Sequence, residues 1–292
     1  MSDASNYDFS MERRLYKLDP ILHKRFTSAV FGLQHVLSNY KLLFPSFTDH
    51  TELHSLNVID FSNQLIADQI ERMNADEIFT LLMGAYLHDT GMGITEKDYI
   101  DFSEKIDFGD YFETHSRDDR SKVIRDFHNE FSAQFIRKYS ALLDLPSEEH
   151  MFAVIQVSRG HRKTNMMNEE EYPTAYPLAN GHTLCLPYLA ALIRLADEID
   201  ITAARNSVLL YDFQSLSSQF DQFHFSLHKA VRNLRITETE FVVEAHTDDP
   251  RYQNGIIELC GKMQDTLDHC RNAVNGRTPY RITQETIRLE QI

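Results

Sequence analysis

The chain has 292 residues, of which 42% are hydrophobic and 25% charged, and these ordinary globular values exclude wholesale disorder. Its formal net charge of −15 repels phosphate backbones, so we do not expect binding to long nucleic acid. The widely spaced Cys185, Cys260 and Cys270 favour a reducing compartment over a disulfide framework. Because we find neither a signal-peptide pattern nor the roughly 18 consecutive apolar residues of a membrane span, we expect a cytoplasmic protein without membrane insertion.

Apolar residues at helical spacing predict that most of the first two hundred residues are helical. The first pattern begins at His54, preceded by Thr48 and Asp49 as candidate N-caps. Gly91 and Gly93 are expected to end the second pattern, and Gly160 the fourth. The predicted helices cover 54–70, 75–89, 121–139, 148–159 and 183–205.

The rest of the chain has a different character. Residues 161–182 contain two prolines and no periodicity, which is typical of a long binding loop. We predict a mainly α fold, with a helical domain over 1–205 and a small α+β appendage over 206–292. Within the appendage, the patterns predict a β-hairpin, a helix and a closing strand over 233–250, 255–274 and 280–292.

Helix faces that should be apolar contain imidazoles and carboxylates. Burying a carboxylate without a partner costs several kcal/mol, and burying an unpaired imidazole is also unfavourable. A divalent metal ion would compensate several such groups at once, because it neutralises carboxylates and accepts imidazole lone pairs. The residues at core positions of four predicted helices are His54, His88, Asp89, His128 and Asp197.

Each of these residues also has a structural interpretation when it is taken alone. A single histidine on an apolar helix face is usually hydrogen-bonded within the core. His128 would face solvent if its helix were rotated by one position. Asp197 could be the buried partner of Arg194 or Arg205. The joint pattern, rather than any one residue, favours a shared metal centre.

Three segments resemble the HD-domain metal-dependent phosphohydrolases. "HSLNVI" begins with His54, "LLMGAYLHDTGMG" contains the adjacent pair His88-Asp89, and "LIRLADEIDITAAR" contains Asp197. This H…HD…D arrangement gives a motif core of about 45–205 and is most similar to the HD subgroup found with chaperone-type GHKL ATPases. The resemblance implies an HD-domain helical bundle and suggests a GHKL-type ATPase as a partner.

The resemblance also implies a set of metal ligands. The ligands of a first ion would be His54, His88, Asp89 and Asp197. Several HD subfamilies, including the HD-GYP cyclic-dinucleotide phosphodiesterases, add two histidines and a second ion, and His128 and His161 stand in the matching intervals. Asp89 would then bridge two ions, and Asp89, His128 and His161 are the predicted catalytic residues. The chain has no lysine shortly after the HD pair and no GYP loop, which disfavours a cyclic-dinucleotide substrate.

The implied ligands also restrict the metal and the substrate. Imidazole and carboxylate ligands favour one or two Mn²⁺, Fe²⁺, Ni²⁺, Co²⁺ or Zn²⁺ ions over Mg²⁺. An anionic substrate would need cations near them. The predicted substrate-binding residues are Arg125, Arg159, Arg162, Lys163 and His50. Arg162 and Lys163 could equally be solvated at the start of the loop, and His50 and His115 are also candidate proton donors.

The favoured hypothesis is a metal-dependent phosphohydrolase that uses a metal-activated water on a nucleotide or a small cyclic or oligonucleotide phosphoester. One alternative is a nucleotide-sensing or partner-regulating HD module without turnover. Another is a nuclease of single-stranded ends, as in some CRISPR-associated HD proteins; the acidic balance and the lack of an aromatic, basic stripe count against it. The sequence is also compatible with a homo-oligomer.

Overall fold

The predicted mainly α fold is confirmed. The computed structural model describes residues 7–40, 44, 51–162, 164–201, 223, 226–227 and 229–291. Most of the described residues are helical, and the only β-structure among them consists of two small sheets. No helix in the described part of the chain has both the length and the apolar character needed to cross a bilayer.

The helices form the larger part of the molecule, and the strands are short. The helices are α1 (Ser10–Leu18), α2 (Pro20–Ser38), α3 (Glu52–Ile66), α4 (Ala75–Leu87), α5 (Glu96–Ser103), α6 (Tyr111–Thr114), α7 (Arg120–Tyr139), α8 (Glu148–Arg159), α9 (Leu186–Glu198) and α10 (Pro250–Val274). Two 3₁₀ segments cover Ala67–Arg72 and Thr90–Gly93. The strands are β1 (Tyr176–Pro177), β2 (Thr183–Leu184), β3 (Val231–Ile236), β4 (Glu240–Ala245) and β5 (Thr286–Gln291).

Helix α4 occupies the centre of the helical part. Every residue from Ala75 to Leu87 is buried, so the helix is enclosed on all sides rather than along a single stripe. It ends at Leu87, and the predicted inclusion of His88 and Asp89 in this helix is therefore wrong. A Cβ atom on Gly84 would lie 2.8 Å from a methyl carbon of Val157, which shows how closely α4 approaches α8.

The start of α3 differs from the prediction. Thr51 is the N-cap, and its hydroxyl accepts a hydrogen bond from the backbone N–H of Leu53 at 3.4 Å. The candidate caps Thr48 and Asp49 lie outside the described residues. The predicted apolar face of α3 is buried at His54, Val58 and Leu65, as expected, and is half-buried at Phe61.

The C-terminal part contains the predicted hairpin. Strands β3 and β4 pair antiparallel, and β5 then pairs parallel to β4 in the order β3-β4-β5. The sequence predicted β5 as a strand, but its periodicity contained no information about this pairing. The predicted domain boundary at residue 205 lies outside the described residues.

The described C-terminal segments share their core with the helical part. Tyr280 stacks on Tyr188 of α9 with ring centroids 4.2 Å apart, and its hydroxyl donates to the buried Glu77 carboxylate at 2.6 Å. Cys270 of α10 is fully buried, with its thiol 3.9 Å from the carbonyl of Ala191. Cys185, Cys260 and Cys270 are free thiols, which agrees with the expected lack of a disulfide framework.

A buried carboxylate at the start of α4 joins three segments. Asp76 accepts hydrogen bonds from His150 Nε2 at 2.7 Å, from His182 Nδ1 at 2.6 Å and from Asn180 Nδ2 at 3.1 Å. Burial alone would raise the pKa of Asp76, but the bonds from His150, His182 and Asn180 lower it from 3.8 to about 2. Asp76 therefore attaches both the N-terminus of α8 and the loop before α9 to the central helix.

We expect Asp76→Asn to destabilise the fold at pH 7 by about 2 kcal/mol through the lost charge interactions. The folded-state pKa lies below the unfolded-state value, so this stabilisation is present above about pH 4 and is lost as the pH falls through 2. Urea unfolding at pH 7 and pH 3 should therefore give a smaller difference from the wild type at pH 3. The exposed control Asp265→Asn should stay within about 0.5 kcal/mol of the wild type at both values. An Asp76→Asn difference that does not change with pH would contradict the assignment.

Candidate metal centre

Six side chains from five segments of the chain meet at one centre. All six were predicted as ligands, and the structure brings them within contact distance of one another. They are His54 of α3, His88 and Asp89 in the turn after α4, His128 of α7, His161 just after α8 and Asp197 in the last turn of α9. His88 is fully buried, and Asp197 is the most accessible of the six, with 24% of its side chain exposed.

The first half of the centre is organised around His54. Its Nε2 atom lies 3.1 Å from His88 Nε2, 3.1 Å from Asp197 Oδ1 and 3.5 Å from Asp89 Oδ2. His88 Nε2 lies 3.2 Å from the same Asp89 oxygen. Asp197 therefore faces His54, and the alternative pairing of Asp197 with Arg194 is not the one observed. Arg205 lies outside the described residues.

The second half uses the other oxygen of Asp89. His128 Nε2 lies 2.8 Å from His161 Nε2. Asp89 Oδ1 lies 3.4 Å from His128 Nε2 and 3.7 Å from His161 Nε2. The two oxygens of one carboxylate thus face two different pairs of histidines.

In each of the four histidines, the hydrogen bond made by the outer nitrogen, Nδ1, determines whether the inner nitrogen, Nε2, carries a hydrogen. Nδ1 of His88, His128 and His161 donates to the backbone carbonyls of Ala85, Arg125 and Ser158, at 2.9, 2.7 and 2.6 Å. Nδ1 of His54 donates to the carboxylate of Asp200 at 2.7 Å. Carbonyl and carboxylate oxygens can only accept, so each Nδ1 carries the hydrogen and each neutral ring presents an Nε2 lone pair to the centre.

These lone pairs face one another and need a positive charge between them. Burial together with the neighbouring His128 and His88 lowers the pKa of His161 well below its ordinary value. Protonation of His161 is therefore unfavourable. Neutral imidazoles and ionised carboxylates are the protonation states that bind metal ions, and the Nδ1 hydrogen bonds direct each Nε2 towards the centre in the orientation that such binding requires.

The donor set fits a divalent metal ion. Nitrogen and oxygen ligands about 2.1 Å from one ion are separated from each other by about 3.0–3.4 Å, and most of the distances given above lie in or near this range. Two overlapping groups can each hold an ion: His54, His88 and Asp89, and Asp89, His128 and His161. Asp89 belongs to both groups.

Further residues hold these ligands in place, and the sequence prediction did not include them. The carboxylate that fixes His54 belongs to Asp200, which is buried and also accepts from Asn57 Nδ2 at 3.2 Å. Such a carboxylate orients the ring of a metal-binding histidine. The signal was present in the sequence, because Asp197 and Asp200 are one helical turn apart in "DEID".

The turn after Asp89 lies against the helix that contains His128. The Ser132 hydroxyl donates to the carbonyl of His88 at 2.7 Å and accepts from the N–H of Gly91 at 2.8 Å. A Cβ atom on Gly91 would lie 2.2 Å from the carbonyl oxygen of His128, so only glycine permits this approach. Helix α7 also has non-helical angles at Phe127, with φ −120° and ψ 18°, one residue before His128.

The predicted substrate-binding residues have different surroundings. Arg159 and Arg162 line a groove of about 690 Å³, which also includes Phe127 and Asn129, the sequence neighbours of His128. Arg159 is engaged by Glu130 at 3.0 Å and by Glu171 at 3.6 Å, whereas Arg162 is exposed. Arg125 is half-buried, one turn before His128.

Among the described residues, the candidate His115 does not join the cluster. His115 stacks on Tyr111 with ring centroids 4.2 Å apart. His50 and Lys163 lie outside the described residues, so their predicted roles stay predictions.

The comparison with known proteins agrees with this centre. A family model described as HD-CE matches residues 44–280. The chain belongs to the HD-CE family. The match and the histidine–aspartate cluster together fit an HD-type domain, whereas the link to GHKL-type ATPases stays a prediction. No curated protein and no solved structure matches the chain.

We expect Gly91→Ala to destabilise the protein by about 1–3 kcal/mol, because the new methyl group would collide with backbone atoms of α7. Thermal and urea unfolding would measure the loss. Gly261→Ala is the matched control: Gly261 is exposed within α10 and a Cβ atom there would meet nothing within 4 Å. The control should be neutral or stabilising by about 0.5–1 kcal/mol, and equal effects of the two substitutions would contradict the packing argument.

We expect Asp200→Asn to weaken metal binding by about 10- to 100-fold, because His54 would lose the charged acceptor that orients its ring. Isothermal titration of the metal-free protein with Mn²⁺ would measure the change. Asp265→Asn, at an exposed position of α10, should bind Mn²⁺ as the wild type does. Unchanged affinity in a folded Asp200→Asn variant would show that Asp200 does not act through His54.

Proposed function

We propose that the protein is a metal-dependent phosphohydrolase acting on a nucleotide or a small oligonucleotide or cyclic nucleotide phosphoester. The observation that carries this proposal is the division of Asp89 between two histidine pairs. A carboxylate that belongs to two ligand groups would hold two ions at once, and such ions would supply an activated water and relief of charge on a phosphoester.

The chain's own residues would define the charge and geometry of this site. When bound, divalent ions would supply an activated water near neutral pH and would draw charge from the phosphoryl oxygens. Asp89, His128 and His161 would hold the second position, and Asp89 also contributes to the first with His54 and His88. Asp197 has the most exposed side chain, so we propose that water and substrate enter on its side. The mixed donors favour Mn²⁺, Fe²⁺, Ni²⁺, Co²⁺ or Zn²⁺ over Mg²⁺.

We propose that the phosphate groups of the substrate extend from the metal centre into the groove lined by Arg159 and Arg162. Arg162 is the exposed cation of this groove closest in sequence to a proposed ligand, and its planar fork suits a phosphate. Arg159 would be a second contact whose charge is already shared with Glu130 and Glu171. Arg125, Lys163 and His50 remain proposed contacts on the basis of the sequence.

We expect elemental analysis of the purified protein to give two transition-metal ions per chain, and a nucleotide panel to show release of phosphate or nucleoside. Asp89→Ala should lose both ions, because each ligand group depends on this carboxylate. His88→Ala should lose the first ion, and His161→Ala the second. Each variant should lose about 100-fold or more in turnover.

The exposed His35→Ala in α2 is the matched control and should keep both metal and activity. Wild-type turnover by folded Asp89→Ala and His88→Ala would overturn the proposed function. Stabilisation by nucleotide without product release would instead favour the sensing module, and cleavage of labelled single-stranded oligonucleotides would favour the nuclease.

A further inference from the structure

Arg194 is a buried cation whose hydrogen bonds surround one of the proposed ligands. It lies on α9, one turn before Asp197, and only 7% of the residue is exposed. Its Nε donates to the carbonyl of Gly160 at 2.6 Å, and its Nη2 donates to the carbonyl of Arg162. Nη2 also reaches the carbonyl of Thr164 at 2.9 Å and the hydroxyl of Thr164 at 3.0 Å.

This arrangement fixes the backbone on both sides of His161. Gly160 and Arg162 are the two neighbours of His161, and the same guanidinium binds both of their carbonyls. A buried guanidinium stays charged and is tolerated only where acceptors replace its water. The hydrogen bonds to Arg194 therefore stabilise the conformation of the segment after α8. Because His161 lies within this segment, they also fix its position.

Packing along the same helix reinforces this connection. A Cβ atom on Gly160 would lie 2.5 Å from the Cβ of Ala190, which is one turn before Arg194 on α9. The buried Tyr172 adds a bond from further along the loop, because its hydroxyl donates to the Thr164 hydroxyl at 2.8 Å. Helix α9 thus positions His161 through Ala190 and Arg194, and it supplies Asp197 directly.

We propose that Arg194 is a positioning residue that controls metal binding in the second half of the centre, formed by Asp89, His128 and His161. The inference rests on the two-ion site proposed above. The first half depends on His54, His88, Asp197 and the shared Asp89. The hydrogen bonds of Arg194 within the described chain go to the segment after α8 instead. Loss of Arg194 should therefore weaken the second ion selectively, a pattern that a general loss of stability would not produce.

The test is a titration of the metal-free full chain with Mn²⁺, in which calorimetry measures the Kd values and electron paramagnetic resonance records the spectrum. The wild type should bind two ions and give the spectrum of a spin-coupled pair. In Arg194→Gln, the Kd of the second ion should rise about 10- to 100-fold, the range typical for residues that orient ligands. The Kd of the first ion should change less than about 2-fold, and the spectrum should become that of isolated Mn²⁺.

Two gentler variants keep the test decisive if Arg194→Gln fails to fold. Arg194→Lys keeps the charge but lacks the planar fork that reaches several carbonyls, so we expect a smaller weakening of the second ion. Tyr172→Phe removes only the hydrogen bond from Tyr172 to the Thr164 hydroxyl, so we expect a still smaller weakening of the second ion. His161→Ala is the positive control for loss of the second ion alone.

The matched negative control is Glu169→Gln. Glu169 pairs with Arg277 and so connects the same loop to the end of α10, away from the bonds around His161. This variant should keep both affinities.

Several outcomes would overturn the inference. A folded Arg194→Gln that binds both ions as the wild type does, or that loses both equally, would show that Arg194 does not position the second half. Unchanged second-ion affinity in both Arg194→Lys and Tyr172→Phe would show the same, as would a wild type that binds a single ion. A wild type that binds two ions but hydrolyses no nucleotide would contradict the proposed function alone, because the titration still decides the role of Arg194.

Discussion

The central constraint on this structure is the orientation of four imidazole rings. Each ring donates its Nδ1 hydrogen outward to an oxygen that can only accept, and each Nε2 lone pair therefore points inward. The inner nitrogens come within 3.1 and 2.8 Å of one another in two pairs. Lone pairs at this distance in a buried site repel unless a cation lies between them. A divalent metal ion, which this centre could hold, would therefore make the packing of these helices more favourable.

Turns that lie very close to neighbouring helices position the ligands of this centre. Gly91 allows the turn after Asp89 to lie on the backbone of α7, and Gly160 allows the turn containing His161 to lie on α9. The break at Phe127 adjusts the backbone immediately before His128. These contacts set distances between ligands that come from segments far apart in sequence, and they do so with backbone atoms, which move less than flexible side chains.

Much of the centre could be predicted from the sequence, because a polar residue at a core position of a helix is visible in the apolar period. This reasoning found His54, His88, Asp89, His128 and Asp197, and the family resemblance added His161, whose position in a turn has no period. The structure then brings all six together, which the sequence could only imply. Helical spacing also predicted most of the described helices, and the alternation of apolar and polar residues predicted the β3–β4 hairpin.

The residues that support the ligands were harder to predict, for physical reasons. Arg194 was considered only as an ion-pair partner of Asp197, whereas it donates to backbone carbonyls. The carboxylate of Asp200 accepts from a histidine ring. A backbone carbonyl has no sequence signature, so an arginine that binds three of them cannot be recognised from residue types. The parallel pairing of β5 with β4 was not predictable for a similar reason, because strand periodicity does not indicate a partner.

The charge of the centre explains how an acidic protein could attract an anionic substrate. Asp89, Asp197 and the adjacent Asp200 give the centre a formal charge of −3 when its histidines are neutral. Two divalent cations would change this to +1, so the bound ions would dominate the local field. The carboxylates of the groove lined by Arg159 and Arg162 balance much of its arginine charge, so a loaded metal centre would be the main attraction for the phosphate of the proposed substrate. Substrate binding would then depend on metal loading, and a chain of net charge −15 would need no extended basic surface.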